Sequence, residues 1–151
     1  MSVRIFILFS FLLLTACNDS KKSDGSDPGQ GSSPEEVTTL KKGSGIGPVK
    51  AFRLPGEIDA TLAETGKQIF TQKCTACHII GKKLVGPDLT GVVEKRRPEW
   101  IMNMIMNPIE MLSKDPEAKA LLAEFNNLPM TNQNVPEDEA RALLEYFRTL
   151  K

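Results

Sequence analysis

Residues 74–78 read Cys74-Thr75-Ala76-Cys77-His78, two thiols three positions apart with an imidazole directly after the second. Three positions are close to one helical turn, so both sulfurs can face the same way. Two thiolates at that separation can add across the two vinyl groups of one haem, which leaves the adjacent histidine under the iron; this is the c-type haem attachment pattern. Three other readings of the same residues stand beside it. A zinc site needs four ligands, and the chain has one histidine and three cysteines, one of which, Cys17, is accounted for below. A thioredoxin-like dithiol belongs in an alternation of strands and helices, of which the surrounding sequence has little sign. A structural disulfide across two residues is open, but it gives the flanking histidine no role.

Outward from this stretch the pattern is helical. Over 60–73, Leu62, Gly66, Ile69 and Phe70 share one face and lead straight into Cys74. Pro98 opens a second helix, with Trp100, Ile101, Met104 and Ile105 on a face, stopped by Asn107-Pro108. Asp115-Pro116-Glu117 reads as an N-cap, a first-turn proline and an acid, followed at helical spacing by Ala118, Leu121, Leu122 and Phe125 before Asn126-Asn127. Pro136-Glu137-Asp138-Glu139 starts the last helix, with Leu143, Leu144 and Phe147 apolar and Arg148 and Lys151 near its negative end. The expectation is an all-α domain of about four short helices around one covalently bound haem. Of seven Phe, three (Phe6, Phe9, Phe11) lie in the leading run, leaving four Phe, Trp100 and Tyr146 for a core. So small an aromatic core is marginal unless a cofactor completes it.

With these residues in view, 57–151 resembles a small class I monohaem cytochrome c. Gly66 and Phe70 stand where that family has a small residue and an aromatic on its first helix, and Leu143 and Tyr146 match the last helix against which they pack. Gly86-Pro87-Asp88-Leu89 is similar to the family's Gly-Pro-Asx-Leu loop, whose proline carbonyl accepts a hydrogen bond from the proximal histidine ring; the resemblance implies that Pro87 orients His78. The end of the linker, the Met-rich centre and the Asn-rich segment after Met130 are also similar to lipoprotein cytochromes of some anaerobically respiring bacteria.

His78 is the only histidine, so bis-histidine ligation within one chain is impossible. The distal partner is then a methionine, a less usual donor, or nothing, and the methionine candidates are Met102, Met104, Met106, Met111 and Met130. The first four sit on or beside the stretches that begin at Pro98 and Pro108, where methionine commonly fills core. Met130 lies in the irregular stretch before the last helix, where class I cytochromes carry their ligand, and is the expected partner of His78. Several family members have proline after this methionine, whereas here Pro129 precedes it. Trp100 is either core or a donor to a haem propionate. Arg96 and Arg97 either neutralise a propionate or are solvated surface.

The chain has 151 residues with 19 basic and 19 acidic side chains. A charged start at Arg4, an apolar run from Ile5 to Leu14 broken only by Ser10, and small residues at Thr15 and Ala16 read as an export signal over 1–16. Leu14-Thr15-Ala16-Cys17 resembles a bacterial lipobox, which implies acylation of Cys17. Without residues 1–16, 18 basic groups face 19 acids, a balance that excludes a strongly basic nucleic-acid binder, and no later stretch approaches a membrane span. Residues 17–56 read as lipidated cysteine and flexible linker, since 18–45 hold only Val37 and Leu40 as large apolar side chains. As a coil, 18–50 would reach about 30 Å. Apolar character returns at Gly43–Val49 and Phe52–Gly56, segments able to lie against the domain.

Residues 67–97 carry seven basic and two acidic groups, and 110–145 carry eight acids and three bases. This is either a positive ring that steers an acidic partner or two ordinary solvated faces. The function expected is an extracytoplasmic, lipid-anchored, single-electron shuttle with one haem c. Its partners would be a quinol-oxidising donor complex and a terminal acceptor such as nitrous oxide reductase or a cytochrome oxidase. The rival is a haem sensor or peroxidase-like enzyme whose sixth ligand is labile; the sole histidine leaves it no distal acid–base imidazole.

Overall fold

The structure, a computed structural model, describes residues 43–151; the expected signal segment 1–16, Cys17 and the linker up to 42 lie outside the described residues. Among the described residues six helices follow one another: α1 (Ala60–Lys73), α2 (Val92–Lys95), α3 (Pro98–Met106), α4 (Pro108–Lys114), α5 (Pro116–Glu124) and α6 (Glu137–Arg148). The all-α expectation holds. Among the described residues the β-type pairing is a single isolated bridge, Ile79 with Lys82.

Capping chemistry sets the boundaries. Asp59 Oδ1 accepts the Leu62 N–H at 2.9 Å at the start of α1, and Asp115 Oδ1 accepts from Glu117 N and Ala118 N at the start of α5. Prolines occupy the first turn of α3, α4 and α5, where their missing N–H has no intrahelical partner to lose. Helix α6 begins with three acids and ends with Arg148, in accord with its dipole. Two helices exceed the four expected. Asn107-Pro108 stops α3 but also starts α4, and α2 is a single turn entered through Gly91 in the left-handed region (φ 65°).

The frame is the crossing of α1 and α6. Phe70 meets Tyr146 at 5.5 Å and Phe147 at 6.0 Å between ring centroids, and Leu143 is fully buried. Gly66 lies against the Ala142 carbonyl with no room for a Cβ. The small residue and aromatic expected to pack on Leu143 and Tyr146 do so.

Residues 44–56, within the expected linker 17–56 but holding the two segments read as able to lie against the domain, form a strap packed on it. Asn103 on α3 is fully buried and donates to Ser44 O (3.0 Å) and Val49 O (2.9 Å) while accepting from Val49 N (3.0 Å). Glu99 accepts the Phe52 N–H at 3.0 Å. Arg148 donates to the carbonyls of Pro55, Gly56 and Glu57, and is itself held by the buried Glu145 carboxylate. Residues 44–50, counted in the expected coil 18–50, are therefore held on the domain. Asn103→Ala is expected to lower stability by about 2–4 kcal/mol, because three backbone groups of the strap lose their partner together. Denaturant titration checks the size, and faster proteolytic cleavage within 44–56 checks that the strap is what loosens.

Candidate functional site

The two thiols are placed by the way α1 ends. Cys74 caps that helix through its N–H to Phe70 O, and the chain turns back so that Cys77 N and His78 N both donate to Cys74 O, at 3.0 and 2.9 Å. Cys74 and Cys77 are not joined to each other in a disulfide. Burial pushes the Cys74 thiol up to about 11, against the opposing pull of Lys73; its sulfur sits in surroundings that favour an uncharged state, such as a thiol or a thioether.

From this turn a cavity of about 710 Å³ opens, within the range of small-molecule and cofactor pockets. Cys74, Cys77 and His78 line it together with Trp100, Ile101, Met104 and Ile105 of α3, Leu121, Leu122 and the following Phe125, Leu143 and Phe147 of α6, and the segment Leu128-Pro129-Met130. The lining is overwhelmingly apolar and is drawn from every long helix, as a flat hydrophobic cofactor at the centre of the core requires. A macrocycle tethered through both sulfurs fits these residues.

His78 Nδ1 lies 3.0 Å from the Pro87 carbonyl. A carbonyl only accepts, so the proton sits on Nδ1 and Nε2 keeps its lone pair for a metal. Gly86 lies against the same ring: a Cβ there would meet Nδ1 at 2.8 Å and Nε2 at 2.9 Å. The Gly86-Pro87 pair therefore acts twice on one imidazole, by close approach and by hydrogen bond. The close approach was not anticipated; a glycine directly before the accepting proline is its only trace in the sequence.

Of the five candidate methionines, Met104 and Met130 line the cavity and Met102, Met106 and Met111 do not. Met102 and Met111 are core, the latter receiving the Ile46 N–H at its sulfur. Past α5 the chain leaves the helix through Asn126 and Asn127, both left-handed (φ 56° and 57°), and carries Met130 along an irregular segment.

For Trp100 and Arg97 the sequence leaves two readings each. Trp100 lines the cavity, and its indole N–H donates to Asp115 Oδ1 at 3.0 Å, as the core reading expects. Arg97 does not line the cavity; its guanidinium pairs with Glu99 at 3.3 Å. Arg96 does line it, stacked 5.2 Å from the Trp100 ring and paired with Glu117 at 3.0 Å.

Nor does the contrast between the basic and acidic segments survive folding as a simple dipole. Lys73–Glu139 (2.6 Å), Lys83–Glu124 and Arg96–Glu117 join one segment to the other. Lys82 and Lys95 make no ion pair among the described residues, so a positive field at the cavity rests on fewer side chains than the sequence count suggests. Among the described residues no group of three or more His, Cys, Asp or Glu side chains gathers as a zinc site would need.

Comparison with known proteins gives a consistent result. The sequence family described as Cytochrome c matches residues 63–151. The chain is 35% identical over 89 residues to cytochrome c-551 of Pseudomonas denitrificans, covering 58% of this chain and 99% of that protein. It is 31% identical over 90 residues to cytochrome c-551 of Azotobacter vinelandii, covering 58% of this chain and all of that one. The solved structure of cytochrome c from Rhodothermus marinus superposes with a TM-score of 0.66 at 42% identity, over 69% of this chain and 89% of that one.

Proposed function

The chain belongs to the cytochrome c family, and from that premise we propose that it is a lipid-anchored, extracytoplasmic shuttle of single electrons between a membrane donor and a terminal acceptor. One covalently attached haem c and the work of an electron carrier, rather than of an enzyme, come with the family. When bound, haem c supplies a reversible one-electron couple. Everything else is done by the chain's own residues.

Cys74 and Cys77 are the attachment points, His78 the proximal ligand and Met130 the distal one. The observation that carries this assignment is the His78 Nδ1–H to Pro87 carbonyl bond at 3.0 Å, made at the wall of an apolar cavity that both cysteines and Met130 also line. A histidine held this way presents Nε2 and nothing else. A thioether opposite it favours the reduced state, and the apolar wall disfavours the extra charge of the oxidised one, so both raise the potential. Were His78 and Met130 both to hold the iron, no place would remain there for a substrate.

Electrons must then enter and leave at the exposed edge. Val85 and Leu128 line the cavity yet are 40% and 55% exposed, with Leu84 at 48% beside them; they mark a rim where a partner can approach without displacing charge. Lys82 is a cation near this rim in sequence, and the candidate partners are a quinol-oxidising complex as donor and nitrous oxide reductase or a cytochrome oxidase as acceptor. Anchoring rests on Leu14-Thr15-Ala16-Cys17; no described helix is long and apolar enough to cross a membrane.

The testing experiment is the optical spectrum of residues 18–151, matured with haem, in both oxidation states and with carbon monoxide. A low-spin spectrum with a methionine–iron charge-transfer band and no carbon monoxide binding is expected. A high-spin or carbon monoxide-reactive protein would transfer the assignment to a sensor or catalyst, and a colourless product would end the haem reading.

A further inference from the structure

The accepting carbonyl of Pro87 stands in the stretch 79–90, which holds no helix and only the isolated bridge of Ile79 with Lys82. A loop carbonyl can fix an imidazole only as firmly as the loop itself is fixed. One tie is the Gly86 N–H to Cys77 O bond at 2.9 Å. The other is Asp88. Its Oδ1 alone accepts three hydrogen bonds, from Gly81 N (2.9 Å), Thr90 N (2.9 Å) and Thr90 Oγ1 (2.8 Å). The first reaches seven residues back to a glycine at φ 85°, and the other two reach two residues forward.

The Pro87 carbonyl and the Asp88 nitrogen belong to one planar peptide. A side chain that clamps Asp88 from both sides of the loop therefore restrains the plane in which that carbonyl points. Asp88 also lines the cavity. Its carboxyl is held below the usual carboxylate range, chiefly by the Thr90 backbone N–H, so it is ionised and a full acceptor at neutral pH.

We propose that Asp88 is a positioning residue for the proximal ligand: by pinning Gly81 and Thr90 through one oxygen, it aims the Pro87 carbonyl at His78 and so sets the donor strength of Nε2. The proposal rests on the reading of His78 as the metal's ligand. A firm Nδ1–H to carbonyl bond makes the imidazole more basic, which favours the oxidised state. Loosening the loop weakens that bond and raises the reduction potential. Losing the carboxylate charge raises it too, and the two causes separate because asparagine keeps Oδ1 as an acceptor without the charge.

The test uses the haem-loaded protein with Asp88→Asn and Asp88→Ala, reading hydrogen exchange of the His78 Nδ1–H by NMR in the reduced state together with the midpoint potential. Asp88→Asn is expected to exchange within about twofold of wild type. Asp88→Ala, with three hydrogen bonds gone, is expected to exchange about tenfold faster or more and to shift the redox equilibrium toward the reduced form several-fold beyond the asparagine variant, where tenfold corresponds to about 59 mV. Thr90→Val removes one donor and keeps Asp88, so it serves as the milder variant should alanine fail to fold; about threefold faster exchange is expected. Equal exchange and equal potential in Asp88→Asn and Asp88→Ala would overturn the proposal and leave only the charge. A wild type without the NMR signature of coordinated imidazole would overturn the ligand reading first and this inference with it.

Discussion

Met130→Ala is expected to bind carbon monoxide where the wild type excludes it, to lose the methionine–iron charge-transfer band and to fall in reduction potential by on the order of a tenth of a volt. That is a fraction of the roughly 0.8 V over which axial ligands tune haem proteins. Place in the fold eliminates the other methionines. Met102 and Met111 are fully buried away from the cavity and Met106 does not line it, which leaves Met104 and Met130. Met104 belongs to α3, whose neighbours Trp100, Ile101 and Ile105 supply the same apolar wall; a thioether there is one more wall residue. Met130 stands outside any helix, beyond two left-handed asparagines, on a segment whose next anchored residue is the buried Val135. Met104 and Met130 are alike half-buried and packed against the core, so what separates them is that Met104 is fixed in a helix while Met130 lies on the irregular segment before α6. Removing its sulfur takes a ligand from the metal and little else from the core, so colour and fold are expected to survive. Met104→Ala is the control: it should keep the band. If the band vanishes with Met104 and stays with Met130, the assignment passes to Met104.

What the sequence discloses and what it conceals divide along the range of the forces involved. Helix α1 is legible as 60–73 because its apolar face, its Asp59 cap and its end at the cysteines are all local. The His78–Pro87 bond is legible through resemblance, since nine residues separate the partners and a short motif spans them. The strap is half legible: Gly43–Val49 and Phe52–Gly56 read as segments able to lie against the domain, but what holds them, Asn103 on Val49, Glu99 on Phe52 and Arg148 on Pro55, stands 47 to 93 residues away. Trp100 is concealed for the same reason. Its indole offers one donor, and the choice of Asp115 over an outside group is made by how α3 and α5 meet. The charge contrast between 67–97 and 110–145 is real in the chain, yet Lys73–Glu139, Lys83–Glu124 and Arg96–Glu117 bring it together in space. Lys83–Glu124 is exposed, and such a pair contributes about 0–1 kcal/mol, so its main effect is on the field a partner meets. Electron transfer slowed by Lys82→Glu but not by Lys83→Glu would reflect this difference in pairing.

Gly66→Ala is expected to cost about 3 kcal/mol or more and to lower the thermal midpoint of the haem-loaded protein by more than about 10 °C. On helix propensity alone the sign would be the reverse, since alanine in a helix interior is better than glycine by about 1 kcal/mol. The contact decides against it. A Cβ at Gly66 would fall inside the Ala142 carbonyl group and 2.9 Å from Leu143 N, and these are backbone atoms of α6 that no rotamer change can move. The two helices would have to separate, and Phe70, Tyr146 and Phe147 meet across that same crossing at 5.5 to 6.0 Å. Leu143 and Phe147 also line the cavity, so a shift of α6 reaches the cofactor's wall as well as the frame. Calorimetry measures the loss of stability, and the spectrum separates its causes: a frame that yields as a rigid pair keeps the charge-transfer band while the midpoint falls. Ala142→Gly beside Gly66→Ala should restore little, because the obstructing atoms belong to the backbone rather than to the alanine side chain. Rescue by that second change would show that the side chain, not the carbonyl, sets the approach of α1 to α6.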